Sequence, residues 1–157
     1  MKIEQFQGQF RWLSNFWFCD IIFEGIKYPT VEHAYQAAKY DKLLISHIDI
    51  DGNKVYVRDL IRQSQKPGEA KKLGKKFKFR EDWEQVKVSI MKDLLREKFK
   101  NPYLREKLIA TKDWTLEEGN HWHDTFWGIY PPGSGDGQNM LGKLIMEVRE
   151  EIRKEKA

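Results

Sequence analysis

Near its end the chain repeats apolar side chains with the period of an α-helix: Leu141, Ile145, Val148 and Ile152 recur every three or four residues. That spacing predicts a helix over Asn139–Lys154 with one buried side. The same period marks Glu81–Lys100, where Trp83, Val86, Ile90 and Leu94 face inward together with Met91 and Leu95. It marks Val31–Tyr40 as well, where Val31, Ala34, Tyr35 and Ala38 form the stripe and Thr30 is a plausible N-cap. Val55–Gln65, Pro67–Phe77 and Pro102–Thr111 read as shorter helices, with Pro67 in a first-turn position and Asn101-Pro102 ending the long helix. Only Asp20–Glu24, Gly25 and Ile26–Tyr28 read as a β-hairpin. Residues 41–54 read as irregular, with Asp51-Gly52-Asn53 a turn; Thr115–Ile129 predicts a short strand or extended loop, and Pro131–Gln138 a loop. No βαβ alternation occurs, which argues against a doubly wound parallel sheet. The expectation is an α+β, mainly α-helical, compact single domain over residues 1–157 with a small N-terminal β-hairpin. That length is enough to bury a core.

Apolar residues make up 40% and charged residues 33%, so the chain reads as globular and soluble. No apolar run approaches the length of a membrane span, and the start (MKIEQFQGQF) does not read as a signal peptide, so the cytoplasm is the expected location and no membrane partner is expected. The single thiol, Cys19, cannot form an internal disulfide and lacks zinc-site spacing; a buried inert role is expected. The net charge of +4 favours anionic partners, phosphates or nucleic acid. Much of the excess lies in Lys71–Lys78 (KKLGKKFK), which reads as a solvated helix face.

Three segments carry chemistry-bearing residues: Phe10–Lys39, Glu118–Gly128 (EGNHWHDTFWG) and Gly137–Arg149. In Val31–Tyr40, Glu32, Gln36 and Lys39 form a polar stripe beside the apolar one, at the predicted border between buried face and water. His33 reads as a partner for nearby polar groups. His121, His123 and Asp124 sit close together, but no further spaced ligand set is visible, and no metal is assigned.

The runs Leu13-Ser14-Asn15-Phe16, Gly25, Tyr28-Pro29-Thr30, Glu32-His33-Ala34-Tyr35-Gln36-Ala37 and Lys39 resemble the opening signature of the NADAR (YbiA-like) family. Trp83, Glu118-Gly119-Asn120, Asp124, Trp127-Gly128, Asn139, Leu141-Gly142, Leu144 and Met146 continue the resemblance in order, over nearly the whole chain. Only Ile129–Gly137 departs from a recognisable pattern. The resemblance implies a mainly helical α+β fold and hydrolysis of N-glycosides. The substrates it implies are phosphorylated ribosylamino-pyrimidines of early riboflavin biosynthesis or, alternatively, ADP-ribose on guanine in DNA. A lysine of the EHAYQ-type helix is associated in the second group with a Schiff base, and Lys39 holds the matching place.

The residue chemistry agrees with this implication. Breaking a ribose–nitrogen bond builds positive charge at the anomeric carbon, which a carboxylate stabilises, or offsets by activating water. Glu32 and Asp124 are the candidates. Lys39, as a neutral amine, is the candidate nucleophile, given a depressed pKa. The plainer alternatives stay open: Glu32 as a first-turn carboxylate, Lys39 as a solvated lysine, Asp124 as a turn cap. Trp83 and Trp127 are core aromatics or stacking partners of the heterocycle. Ser14, Asn15 and Gln36 are candidate substrate-binding groups. Asn139 is an N-cap or a phosphate anchor. No metal or organic cofactor is called for, since water is the only co-substrate, and a non-catalytic nucleotide-binding module is the remaining alternative.

Overall fold

The computed structural model describes residues 1–156. Their contacts divide into two compact units, one of residues 1–17 with 95–157 and one of residues 18–94. The mainly helical α+β class read from the sequence holds.

In the second unit, β2 (Ile21–Phe23) and β3 (Ile26–Tyr28) pair antiparallel as the predicted hairpin. Its two turn residues, Glu24 (φ 49°) and Gly25 (φ 79°), are both left-handed, as a two-residue turn matching strand twist requires. α1 (Val31–Ala38) follows directly, and Thr30 caps it as expected, its hydroxyl accepting from His33 N at 3.0 Å. The predicted stripe of Val31, Ala34, Tyr35 and Ala38 is buried. Residues 41–54, expected to be irregular, instead form most of a second hairpin: β4 (Ile45–Ile48) against β5 (Lys54–Tyr56), with a bulge between Ile45 and His47. The apolar residues of β4 and its turn stay exposed, so they carry no inside–outside signal to read. β5 also takes the start of the predicted Val55–Gln65 helix, leaving α2 at Val57–Arg62. α3 (Pro67–Leu73) starts on Pro67 as expected and stops at Gly74, short of Phe77. α1 packs against both α2 and α3.

α4 (Trp83–Lys98) supplies Trp83, Met91 and Leu94 to the buried interior; Val86 and Ile90 are only half-buried. Cys19 is half-buried rather than buried.

The first unit contains β1 (Lys2–Ile3), a 3-10 turn at Gly8–Leu13, α5 (Pro102–Ala110), β6 (Thr115–Leu116) and α6 (Met140–Lys156). Asn101 both ends the preceding helix and caps α5, its Oδ1 accepting from Tyr103 N at 3.0 Å and Leu104 N at 3.1 Å. β1 and β6 pair in parallel, with Lys2 opposite Thr115 and Ile3 opposite Leu116. The buried side of α6 is Leu141, Leu144, Ile145, Val148 and Ile152, the predicted stripe with Leu144 added. Each such side chain is worth roughly 1.5–3 kcal/mol of burial. Among the described residues no helix is long and apolar enough to cross a membrane.

Candidate active site

All eight residues of α1 are buried, Glu32 at 7%, His33 at 0% and Gln36 at 3% exposure. This corrects the expectation that Glu32 and Gln36 lie at a border with water. Polar groups can be enclosed in this way when they satisfy one another. Gln36 Nε2 donates to Glu32 Oε1 at 2.7 Å, one helical turn apart, and fixes the carboxylate. His33 is wired on both nitrogens. Nε2 lies 2.9 Å from the Ser64 carbonyl, which can only accept, so Nε2 carries the proton and donates. Nδ1 therefore accepts from the Thr30 hydroxyl at 2.7 Å. Burial lowers the His33 pKa, against the opposing influence of the Ser64 carbonyl and Glu69.

Lys39 sits at the C-cap of α1, half-buried. Its Nζ lies 5.4 Å from the ring centre of Tyr35 and 5.1 Å from that of Phe79. Tyr35 in turn packs against Trp83 at 5.2 Å between ring centres. Trp83, 4% exposed, thus stands behind Tyr35 as a packing aromatic. The amine is held below its ordinary pKa first by desolvation; Glu32 opposes the shift, and Lys75, Lys71 and Lys87 add to it. Desolvation and neighbouring cations are the two causes that leave a lysine neutral and nucleophilic near neutrality.

The segment after α3 encloses this end of α1. Tyr40, fully buried, donates its hydroxyl to the Gly74 carbonyl at 2.7 Å. Arg80 N donates to the Lys39 carbonyl at 2.8 Å. The Tyr40 ring makes edge contacts with Phe77 at 5.9 Å and Phe79 at 5.6 Å. From the other side, Arg58 Nε donates to the Tyr40 carbonyl at 2.9 Å, and its Nη1 pairs with Glu24 at 2.7 Å. A cleft of about 840 Å³ opens beside Phe79, lined also by Lys42, Arg58, Lys78, Arg80 and Asp82. Glu32, Gln36 and Lys39 are not part of its wall. Phe79 is the link, one ring shared between the cleft and the amine.

Gly74 was not singled out from the sequence. A Cβ there would stand 1.9 Å from Gln36 Oε1, an oxygen with no hydrogen-bond partner of its own, so Gly74 is the floor on which the Gln36 amide rests. The one sequence sign of it is a glycine interrupting the lysine run.

In the first unit, the segment Glu118–Gly128 is organised by Asn120, 0% exposed. Its Nδ2 donates to Glu118 Oε2 at 3.2 Å and to the Asp124 carbonyl at 2.8 Å; its Oδ1 accepts from Trp122 N at 3.2 Å and Asp124 N at 3.0 Å. Asp124 Oδ1 accepts from Phe126 N at 3.1 Å and Trp127 N at 2.9 Å, which is the turn-capping geometry. Trp127 is half-buried, its ring edge-on to Phe126 at 4.9 Å. Asn139, left-handed at φ 49°, donates to the Leu116 carbonyl at 2.9 Å and accepts from Glu118 N at 3.0 Å. Its amide therefore ties β6 to the start of α6. Ser14 Oγ accepts from Phe16 N at 3.1 Å, while its carbonyl accepts from the buried Lys98 Nζ at 2.8 Å; Asn15 is 9% exposed beside it. Among the described residues no group of three His, Cys, Asp or Glu is arranged to hold a metal ion.

The NADAR domain model matches residues 4–153. The chain is 36% identical over 146 residues to the N-glycosidase YbiA of Escherichia coli, covering 91% of this chain and 82% of that protein. It is 36% identical over 143 residues to an N-glycosidase of Nostoc punctiforme, covering 89% and 84%. It is 35% identical over 144 residues to a riboflavin biosynthesis protein of Vibrio vulnificus, covering 90% of this chain but only 35% of that protein's length. The NMR structure of Escherichia coli YbiA superposes with a TM-score of 0.77 at 33% identity, covering 99% of this chain and 86% of that one. Sequence signature, fold and relatives agree, and the chain belongs to the NADAR family.

Proposed function

We propose that this chain is a hydrolase of N-glycosyl bonds, acting on small phosphorylated ribosylamino-pyrimidines of the kind found early in riboflavin biosynthesis. The observation that carries the reading is the Lys39 amine, desolvated between two aromatic rings and flanked by cations, on the same helix as the buried carboxylate of Glu32. The names of similar proteins, N-glycosidase and riboflavin biosynthesis protein, support the same chemistry.

In this reading the neutral Lys39 Nζ attacks the anomeric carbon. The Nζ–C1 bond forms, the C1–N bond to the base breaks, and one proton lost from Nζ ends on the departing nitrogen; the ring C1–O bond then opens, the second Nζ proton passing to the ring oxygen, and leaves a C1=Nζ Schiff base. Water then adds at C1 and releases ribose phosphate and free lysine, so one water is consumed per bond broken. Glu32, held by Gln36, faces the positive charge that develops at C1 and serves as the proton relay. Asp124 and Asn139 are assigned the task of holding their loops in place. Trp127 and Ser14–Asn15 belong to the other unit and are given no part in this step.

Incubation with a ribosylamino-pyrimidine phosphate is expected to release ribose phosphate. Borohydride added during turnover is expected to leave a ribosyl adduct on Lys39, detectable by mass spectrometry and absent from Lys39→Ala. Absence of turnover on any such compound, with wild type and Lys39→Ala indistinguishable, overturns the reading.

A further inference from the structure

The cleft beside Phe79 takes no part in the chemical step, yet its wall is specific. Four acids and four cations line it, so it offers a phosphate no net charge. Its volume of about 840 Å³ suits a small organic molecule. Arg58 is the fixed point of that wall, 9% exposed. Its Nε donates to the Tyr40 carbonyl at 2.9 Å and its Nη1 to Glu24 Oε2 at 2.7 Å, while its Cζ lies 5.4 Å from the ring centre of Phe23. Among the described residues nothing accepts from Arg58 Nη2 and nothing donates to Glu24 Oε1. Nη2 is open to solvent, and Glu24 is exposed at the hairpin turn. One ion pair thus presents an unused donor and an unused acceptor, on two planar groups that hold each other still. Phe79, 39% exposed, adds an aromatic surface to the same wall, 5.1 Å from the Lys39 amine.

We infer that the cleft takes the heterocycle of the substrate: a pyrimidinone lies against Phe79 with its lactam edge bonded to Arg58 and Glu24. The inference rests on the N-glycosidase reading and adds to it the site of the leaving group. A lactam places a carbonyl acceptor beside an N–H donor, the complement of the unused Arg58 Nη2 and Glu24 Oε1. Hydrogen bonds to charged groups are the stronger kind, and a carboxylate placed to meet an N–H discriminates against a ring that lacks it. A pyrimidine face stacks on an aromatic ring without any need of charge. Position agrees as well. At attack the anomeric carbon stands about 3–3.5 Å from Nζ, and an amino-linked pyrimidine begins two bonds beyond it, which brings the ring to the distance at which Phe79 lies. Arg58 also holds the Tyr40 carbonyl, so the guanidinium that reads the base steadies the main chain next to Lys39. Glu24 is accordingly a specificity residue: it touches the leaving group and not the anomeric carbon.

The test uses 6-amino-1-methyluracil, which keeps an N–H between two carbonyls, and 6-amino-1,3-dimethyluracil, which carries a methyl in place of that N–H. Each is titrated by NMR and calorimetry into wild type, Glu24→Gln and, as a control of equal charge change, Asp20→Asn. Wild type and Asp20→Asn are expected to bind the first compound at least about tenfold more tightly than the second. Ring-current shifts and nuclear Overhauser contacts should place the bound ring on Phe79. The amide of Glu24→Gln keeps an acceptor for Arg58 but puts a donor at the open position, so this variant is expected to bind the two compounds alike while melting as wild type does. Equal affinities in wild type, no binding of either compound, no contact with Phe79, or a preference that survives in Glu24→Gln each overturn the inference. A merely steric effect of the methyl group would give the last of these outcomes. Turnover is read separately: kcat/KM for a ribosylamino-pyrimidine phosphate should fall at least about tenfold in Glu24→Gln. A wild type that turns over no such compound fails the N-glycosidase reading, and the titrations then decide the cleft alone by the same outcomes.

Discussion

Replacing Gly74 by alanine tests the support of Glu32 at a residue that touches no substrate. Gly74 has φ −65° and ψ 1°, a backbone that alanine adopts readily. On backbone entropy alone the change gains about 0.4–1 kcal/mol. The steric side runs the other way. The new Cβ stands 1.9 Å from Gln36 Oε1, 2.7 Å from its Cδ and 3.1 Å from its Cβ. Reaching ordinary contact forces the amide back by more than about 1 Å. Gln36 is 3% exposed, so no solvent-facing position receives it, and its 2.7 Å bond to Glu32 is lost. Overpacking costs about 1–3 kcal/mol and the hydrogen bond to a charged group about 1.5–3 kcal/mol, leaving a net loss near 2–4 kcal/mol. For a chain of this size that lowers Tm by roughly 5–15 °C. The loosened carboxylate should lower kcat with little change in KM. Calorimetry and steady-state kinetics on Gly74→Ala, Gln36→Ala and the double variant make a cycle. In the Gln36→Ala background only the 3.1 Å Cβ contact remains, and Gly74→Ala should be close to neutral. An equal penalty in both backgrounds, or a Gly74→Ala protein as stable and active as wild type, refutes the coupling.

If neutral Lys39 is the attacking group, kcat/KM rises with pH through the lowered Lys39 pKa. Lys71→Gln, which removes one of the cations facing it beside Lys75 and Lys87 and against Glu32, should move that limb to higher pH in a pH–rate profile. His33 has a folded pKa below its unfolded value of 6.5, so the unfolded chain takes up the proton first. Stability is accordingly full above about pH 6.5 and declines as pH falls below it toward the folded value. Chemical denaturation at stepped pH should show this slope flattened in His33→Asn. Gly142→Ala brings a Cβ to 2.1 Å from the Leu116 carbonyl, a backbone atom that cannot step aside, and should cost at least about 2 kcal/mol in the same assay.

The helices were legible where a stripe of their own residues records burial, as in α6 and α1, and where local chemistry marks an end, as at Thr30 and Pro67. The parallel pairing of β1 with β6 was not legible, because two-residue strands from opposite ends of the chain leave no period. The β4–β5 hairpin escaped for a related reason: Ile45, Ile48 and Ile50 are exposed, so nothing alternates. At the candidate site the sequence pointed to Glu32, Gln36 and Lys39 but misplaced their surroundings. An apolar stripe says which side of a helix is greasy; it cannot say that the other side is buried as well and that Gln36 donates to Glu32 there. Gly74, Tyr40 and Phe79 acquire their roles only through contacts between distant segments, which no local pattern encodes.

The guanidinium of Arg58 grips the Tyr40 carbonyl, while the Tyr40 hydroxyl and the Lys39 carbonyl hold the segment after α3 at Gly74 and Arg80, so the main chain here is anchored independently of the lysine tips. Lys72, Lys76 and Lys78 are exposed on that anchored frame. Such a layout is evolvable: exchanging those side chains retunes the local surface charge, while the scaffold that steadies the amine keeps its melting behaviour.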